Sequence, residues 1–201
     1  MRHGETLWSV AGRHTGRTDI PLTETGRVHA ATLAHRLESV DAALILRSPL
    51  IRAGETADLA GYADRAEIVD DLAEGDYGDY EGLTTVQIRV ARPEWNLWRD
   101  GAPGGESPQD MRTRVLRVVQ RLQSAPGDSI VFAHGHLLRA LAACWLELPL
   151  AFGAHLTLGA GSVSVLDWDR EIPTIRLWND VSHLNAAGLP SWRRVTRRAT
   201  R

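Results

Sequence analysis

Arginine, histidine and carboxylate side chains gather in five short stretches of the chain. Arg2-His3-Gly4 sets a guanidinium beside an imidazole; alone this is an ordinary surface pair, and four companions change its weight. Arg52, in Ser48-Pro49-Leu50-Ile51-Arg52-Ala53, falls where an apolar run gives way to a helical pattern. A cation in a helix's first turn opposes the helix dipole, and an anion held there removes the conflict. His134, in Ala133-His134-Gly135-His136, stands at a second strand-to-helix switch. Its neighbour His136 fits a rim or cap residue as well as a functional one. The 72–82 stretch is rich in Glu, Asp, Gly and Tyr, and it contains Glu74. A carboxylic acid is what ester cleavage needs to protonate a leaving oxygen. The fifth stretch, Gly12 to Asp19, carries turn residues and joins His3 to the first helix.

These residues need elements to position them. A helix is predicted over 22–40, capped by Thr23, with Leu33, Leu37 and Val40 at helical spacing. Buried strands are predicted over 42–46 and 129–133, and a short strand over 67–69. Further helices are predicted over 52–60, over 85–90 with its end near Arg92-Pro93, over 107–123 and over 137–148. Met111, Val115, Val118, Val119 and Leu122 form one face of the third of these. Loops are expected over 72–83 and 101–105, and a strand pair over 162–168 and 174–178. Strands alternating with helices predict an α/β fold, a three-layer α/β/α sandwich with a mostly parallel sheet. Ligands of such sheets sit outside the carboxyl ends of the strands, so Arg52 and His134 are expected at one edge.

Composition bounds the rest. The length predicts one domain over 1–184, followed by a basic tail over 185–201, read as mobile, with five Arg between Gly188 and Arg201. A formal net charge of −2 gives no reason to expect nucleic acid or an anionic membrane as partner. No apolar run approaches the roughly 20 residues that span a bilayer. The single cysteine, Cys144, allows no intramolecular disulfide and suits a reducing, cytoplasmic setting. No Cys, His or Asp spacing points to a metal, and no cofactor is expected.

In order along the chain, RHGET, GRHTGRTDIPLT, SPLIRA, LAEGDYGDYEG and AHGH resemble the motif set of the histidine phosphatase superfamily, also called phosphoglycerate mutase-like. The likeness runs from Arg2 to Trp178. NLWRDG at 96–101, the acidic loop and VFAHGH at 131–136 are closest to the acid phosphatase and sedoheptulose-bisphosphatase-like members.

The resemblance implies roles. His3 is the implied nucleophile, attacking phosphorus through a neutral nitrogen to leave a phosphohistidine. Arg2, Arg52 and His134 surround the phosphoryl oxygens. Glu74 gives a proton to the leaving alcohol and later takes one from the attacking water, so it must be protonated for part of each cycle. Ser9, standing where the mutases carry Asn, and Thr15 line the phosphate pocket, with Gly16 and Gly135 beside the substrate. Arg99 is a further substrate contact. Tyr77, Tyr80, Trp95 and Trp98 are candidates for the wall of an alcohol pocket and equally for the core. The implied partner is a small phosphorylated metabolite such as a sugar phosphate; the exposed sheet edge and Trp-rich segments also permit a homodimer.

Phosphoglycerate mutases of the family carry a Lys after the acidic loop and an Arg pair before the Gly-rich loop. Here Thr85 and Arg99-Asp100 stand in those places. Two cations are gone and one is replaced by an anion, which weakens the hold on a small dianionic acid. A phosphatase is therefore expected, with a mutase as the alternative. The family's first strand precedes RHG, whereas only Met1 precedes Arg2 here. A missing first central strand is expected to leave unpaired backbone and a gap in the core. A start recorded downstream of the true one, a damaged sheet, and a non-catalytic relic that binds phosphate ligands are the competing readings.

Overall fold

The computed structural model describes residues 1–186. In chain order the helices are α1 (Leu7–Val10), α2 (Glu24–Leu37), α3 (Ile51–Leu59), α4 (Thr85–Ala91), α5 (Leu97–Asp100), α6 (Pro108–Gln123), α7 (Gly135–Trp145) and α8 (Ser182–Ala186). The strands are β1 (Leu44–Arg47), β2 (Glu67–Ile68), β3 (Ser129–Phe132), β4 (Val163–Asp169) and β5 (Ile172–Asp180). The predicted elements are present with small shifts of boundary. α7 starts two residues earlier than predicted, at Gly135. The loop over 72–83 contains a 3-10 turn at Gly78–Tyr80. The four-residue helices α1 and α5 lie outside the prediction, because they are too short for a hydrophobic period to mark. The tail over 185–201 falls outside the described residues, apart from Asn185 and Ala186 at the end of α8.

β1 pairs in parallel with β2 on one side and β3 on the other, with Leu44 opposite Ser129 and Arg47 opposite Phe132. β4 and β5 form an antiparallel hairpin. Between β3 and this hairpin runs the segment 1–3. Arg2 bridges Ala133 in parallel, Ala133 N–H donates to Met1 O and His3 N–H donates to Ala133 O. On the other side Arg2 N–H donates to Ser162 O at 3.1 Å. The place expected to be vacant is thus taken, at its carboxyl end, by Met1–His3.

Side-chain alternation sorts the strands into two faces. Ile45, Ile130 and Phe132 join Leu33, Leu37, Ala57 and Ala60 of α2 and α3 and the residues that follow them in one buried cluster. Leu46 and Ala133 join Met111, Val115, Val119, Leu137 and Leu141 of α6 and α7 in the other. Helices therefore cover both faces, as the three-layer reading requires. Caps fix where they start: Thr23 accepts Gly26 N–H for α2, and Ser107 with Asp110 forms a reciprocal cap for α6, where Pro108 occupies the first position.

The Arg2-His3-Gly4 turn packs against the start of α2 so closely that both sides are glycine. A Cβ on Gly4 would lie 2.6 Å from Gly26 O, and one on Gly26 would lie 2.2 Å from Glu5 O. On the α3 side, the buried Thr56 hydroxyl accepts Gly4 N–H at 3.0 Å and donates to Arg52 O at 2.7 Å. One side chain thus ties the turn to α3. Thr56→Val keeps the volume but strands a buried N–H, and is expected to lower unfolding free energy by about 1–3 kcal/mol. A denaturant titration checks this; an unchanged midpoint means that the turn is not held there.

Candidate active site

His3 is buried at the carboxyl end of the central sheet. Its backbone is fixed on both flanks, by His3 N–H to Ala133 O at 2.9 Å and by Gly161 N–H to His3 O at 2.9 Å. Nδ1 lies 2.7 Å from Gly4 O. A carbonyl can only accept, so Nδ1 carries the hydrogen and Nε2 keeps its lone pair. Burial pushes the His3 imidazole well below its usual pKa, and the positive charges of Arg2 and Arg52 push the same way. Both effects keep the ring neutral, the state a nitrogen nucleophile needs.

Arg52 follows β1 in the first turn of α3 and is 0% exposed. Its donors are spent inward: Nε to His134 Nδ1 at 3.1 Å, Nη1 to Thr18 O at 3.1 Å, and Nη2 to Thr15 O and Gly16 O at 3.1 and 3.0 Å. Since His134 Nδ1 accepts from Arg52, its Nε2 bears the hydrogen and donates to Ser48 Oγ at 2.7 Å. Burial first, then Arg52, holds His134 well below its ordinary pKa as well. The two imidazole centroids are 5.2 Å apart.

Arg2 is arranged differently. One Nη1–H goes to Leu158 O, while Nε is buried with no hydrogen-bond partner. The Nε edge of this guanidinium is thus unspent, a fork of the kind that takes two oxygens of one phosphoryl group. Burial lowers the pKa of both arginines, and the charge of Glu74 opposes that loss in each. Gly135 lies against Arg2: a Cβ there would be 3.3 Å from Arg2 Nε.

Glu74 owes its place to a helix start with no side-chain cap. His134 offers α7 none, so the first N–H groups of the helix seek another acceptor. Glu74 supplies it: Oε2 accepts from His136 N–H and Oε1 from Leu137 N–H, each at 2.9 Å, while Gly75 N–H adds a bond of 3.0 Å to Oε1. From the other side Arg114 clamps the loop, donating to Asp71 O and Ala73 O at 2.7 Å while paired with Glu106.

The connector over 12–19 folds over this group. Thr15 and Gly16 present carbonyls to Arg52. Gly16 N–H and Thr18 N–H donate to Glu81 Oε1 at 2.8 and 3.2 Å. A Cβ on Gly16 would come within 2.3 Å of Gly75 O, so only glycine lets the two loops meet. Tyr77 is buried beside His14 and His136, and burial together with the charge of Glu74 raises its pKa well above the usual value.

The fold therefore brings together Arg2, His3, Arg52, Glu74 and His134, with Thr15, Gly16, Tyr77 and Gly135 around them. Two other expected substrate contacts have their polar groups engaged by near neighbours in the chain. The Ser9 hydroxyl accepts Thr6 N–H and donates to Thr6 O, completing the α1 cap. Arg99 is exposed and grips Asp100 Oδ1 at 2.7 Å and Glu94 O at 2.6 Å. Several contributors went unread in the sequence. Ser48 and Thr56 act on partners 86 and 52 residues away, and Glu81 and Arg114 reach across loops. No local signal marks such pairs. His136 contributes its backbone N–H, while burial lowers its ring to a pKa of about 4 among Tyr77 and Trp98.

The model of the histidine phosphatase superfamily (branch 1) matches residues 1–181. An acid phosphatase of Mycobacterium tuberculosis is 37% identical over 187 residues, covering 91% of this chain and 92% of that one. Sedoheptulose 1,7-bisphosphatase of Saccharomyces cerevisiae is 37% identical, over 88% of this chain and 77% of its own. A Proteus mirabilis protein named as a phosphoglycerate mutase is 30% identical, over 94% and 95%. A solved structure from Mycobacterium tuberculosis superposes with a TM-score of 0.84 at 37% identity, over 89% of this chain and 94% of that one. The chain belongs to the histidine phosphatase superfamily, branch 1, and is a phosphatase of that family.

Proposed function

We propose that the chain hydrolyses small phosphate monoesters through a phosphohistidine on His3. The observation that carries this is a buried imidazole whose Nδ1 is committed to Gly4 O, leaving the Nε2 lone pair free beside the guanidiniums of Arg2 and Arg52. In the first half-reaction Nε2 attacks phosphorus, the ester P–O bond breaks, and Glu74 in its acid form gives its proton to the leaving oxygen. In the second, water attacks the phosphoryl group, Glu74 takes a proton from that water, the P–N bond breaks and inorganic phosphate leaves. The Nε edge of Arg2 receives phosphoryl oxygens, while Arg52 mainly braces His134 and the 15–18 carbonyls. His134 has one N–H, held by Ser48; a phosphoryl oxygen would take it in place of the hydroxyl.

Two features support a phosphatase over a mutase. Thr85, at the mutase Lys position, is 3.2 Å from His14 Nε2, and Arg99 is neutralised by Asp100. Neither leaves a cation for a carboxylate. The substrate reading follows from a cleft of roughly 660 Å³ beside Glu74. Asp70, Glu74, Asp76, Glu106 and Asp110 line it against Arg17 and Arg114, which are already paired with Asp76 and Glu106. A second phosphate meets net negative charge there, so the alcohol part is uncharged, as in a sugar monophosphate. The lone Cys144 supports a cytoplasmic setting.

His3→Ala is expected to lose at least about a thousandfold in kcat for phosphate release from any monoester. Residual activity within tenfold of the parent sinks the nucleophile assignment. Glu74→Gln is expected to lose about 10²–10⁴-fold on alkyl phosphates and much less on p-nitrophenyl phosphate, whose leaving group needs no proton. Equal losses on both esters contradict the proton-donor role. Between a sugar monophosphate and the bisphosphate of the same sugar, kcat/KM is expected to favour the monophosphate by about tenfold or more; a preference for the bisphosphate overturns the reading of the cleft.

A further inference from the structure

The segment 158–162 touches the site from behind and belongs to no helix or strand. It meets the nucleophile and its neighbour at three points: Leu158 O accepts from Arg2 Nη1, Ser162 O accepts from Arg2 N–H, and Gly161 N–H donates to His3 O. A coil segment holds a position only if something holds the segment. Within it, Ser162 Oγ donates to Gly159 O at 2.7 Å. The remaining clamps come from the end of β5 and from α8. Asn179 Oδ1 accepts Gly159 N–H at 2.7 Å. His183 is buried, and its Nε2 lies 3.1 Å from Gly161 O; facing a carbonyl, that nitrogen is the donor.

Neither residue is placed there cheaply. Asn179 has φ of +57°, the left-handed region that Asn tolerates better than most side chains. It is steadied there by its own N–H to Ser164 Oγ at 3.0 Å. His183 leaves Nδ1 buried without a partner. Backbone strain and an unpaired buried nitrogen persist where the surroundings fix a geometry that function needs.

We infer that Asn179 and His183 are positioning residues for His3, clamping the 158–162 segment that holds the backbone of Arg2 and His3. This rests on His3 being the nucleophile and adds the means by which its attack geometry is set. A shift of about 1 Å in a reacting group costs on the order of a hundredfold in rate, so loosening the clamp slows the chemical step.

The test is the first-turnover rate of His3 phosphorylation by p-nitrophenyl phosphate, followed in the full chain together with KM and the thermal unfolding midpoint. His183→Ala is expected to slow phosphorylation by about tenfold or more, with kcat falling by more than KM rises. His183→Gln, whose amide N–H can reach Gly161 O, is expected to recover to within about threefold of the parent. Asn179→Asp keeps the acceptor for Gly159 N–H and is expected to stay near the parent rate, whereas Asn179→Ala falls with His183→Ala. If His183→Ala does not fold, the Asn179 pair gives the same comparison. Parent-like rates in both alanine variants overturn the inference, as does a folded His183→Gln as slow as His183→Ala. A parent protein that carries no phosphoryl group on His3 removes the nucleophile reading and the inference with it; a phosphorylated parent with unaffected variants removes the inference alone.

Discussion

The Arg52 guanidinium is shut away from solvent and makes no ion pair among the described residues. Burying a lone cation costs several kcal/mol. It persists because the carbonyls of Thr15, Gly16 and Thr18 and a ring nitrogen of His134 receive its donors, while Glu74, Asp19 and Glu81 sit near enough to favour its charge. Much of the site follows from satisfying that one group. The 12–19 connector is drawn inward to offer carbonyls, Gly16 must lack a side chain to allow it, and His134 is forced into the tautomer that donates to Ser48.

Arg52 and Arg2 divide the labour that a pair of arginines would otherwise share. Arg52 spends its donors on protein and acts as a strut and a source of field. Arg2 keeps its Nε edge unspent beside Gly135, where the chain has no side chain to fill the space. Glu74 completes the balance as the acceptor for an α7 start that lacks a side-chain cap. A single helix terminus therefore positions the acid, and the same strand-to-helix switch positions His134. In phosphoryl transfer little is asked of the protein beyond placement and charge; here backbone groups fix the placement and the two guanidiniums supply the charge.

The short apolar runs at 42–46 and 129–133, the one apolar face of 107–123 and the largely apolar 137–148 made the layers readable, because strands covered on both faces need apolar residues throughout and the helices that cover them need an apolar side. The cap at Thr23 made one helix start readable because its partner, Gly26 N–H, is only three residues away. Arg2, His3, Arg52, Glu74 and His134 were readable because they lie in motifs with a fixed order. Ser48, Thr56, Glu81 and Arg114 were not: their partners are distant in sequence, and a lone Ser or Thr near a strand end carries no sign of what it will meet. Ser9 and Arg99 were placed by motif position, and their local partners, the Thr6 backbone and Asp100, carry no signal in the motif. The expectation about the first strand treated the sheet as all or nothing, whereas three residues of pairing at the carboxyl end hold His3 between β3 and Ser162.

The hydrogen bond from His3 Nδ1 to Gly4 O makes one chemical demand that nothing else in the site makes: the phosphoryl group must be carried on Nε2. Quenching the enzyme in base during turnover of a phosphate monoester, followed by peptide mapping and separation of the two phosphohistidine isomers, reads this directly. A single phosphopeptide bearing the Nε2 isomer at His3 is the expected result. Phosphate on Nδ1 of His3, or on another residue, contradicts it.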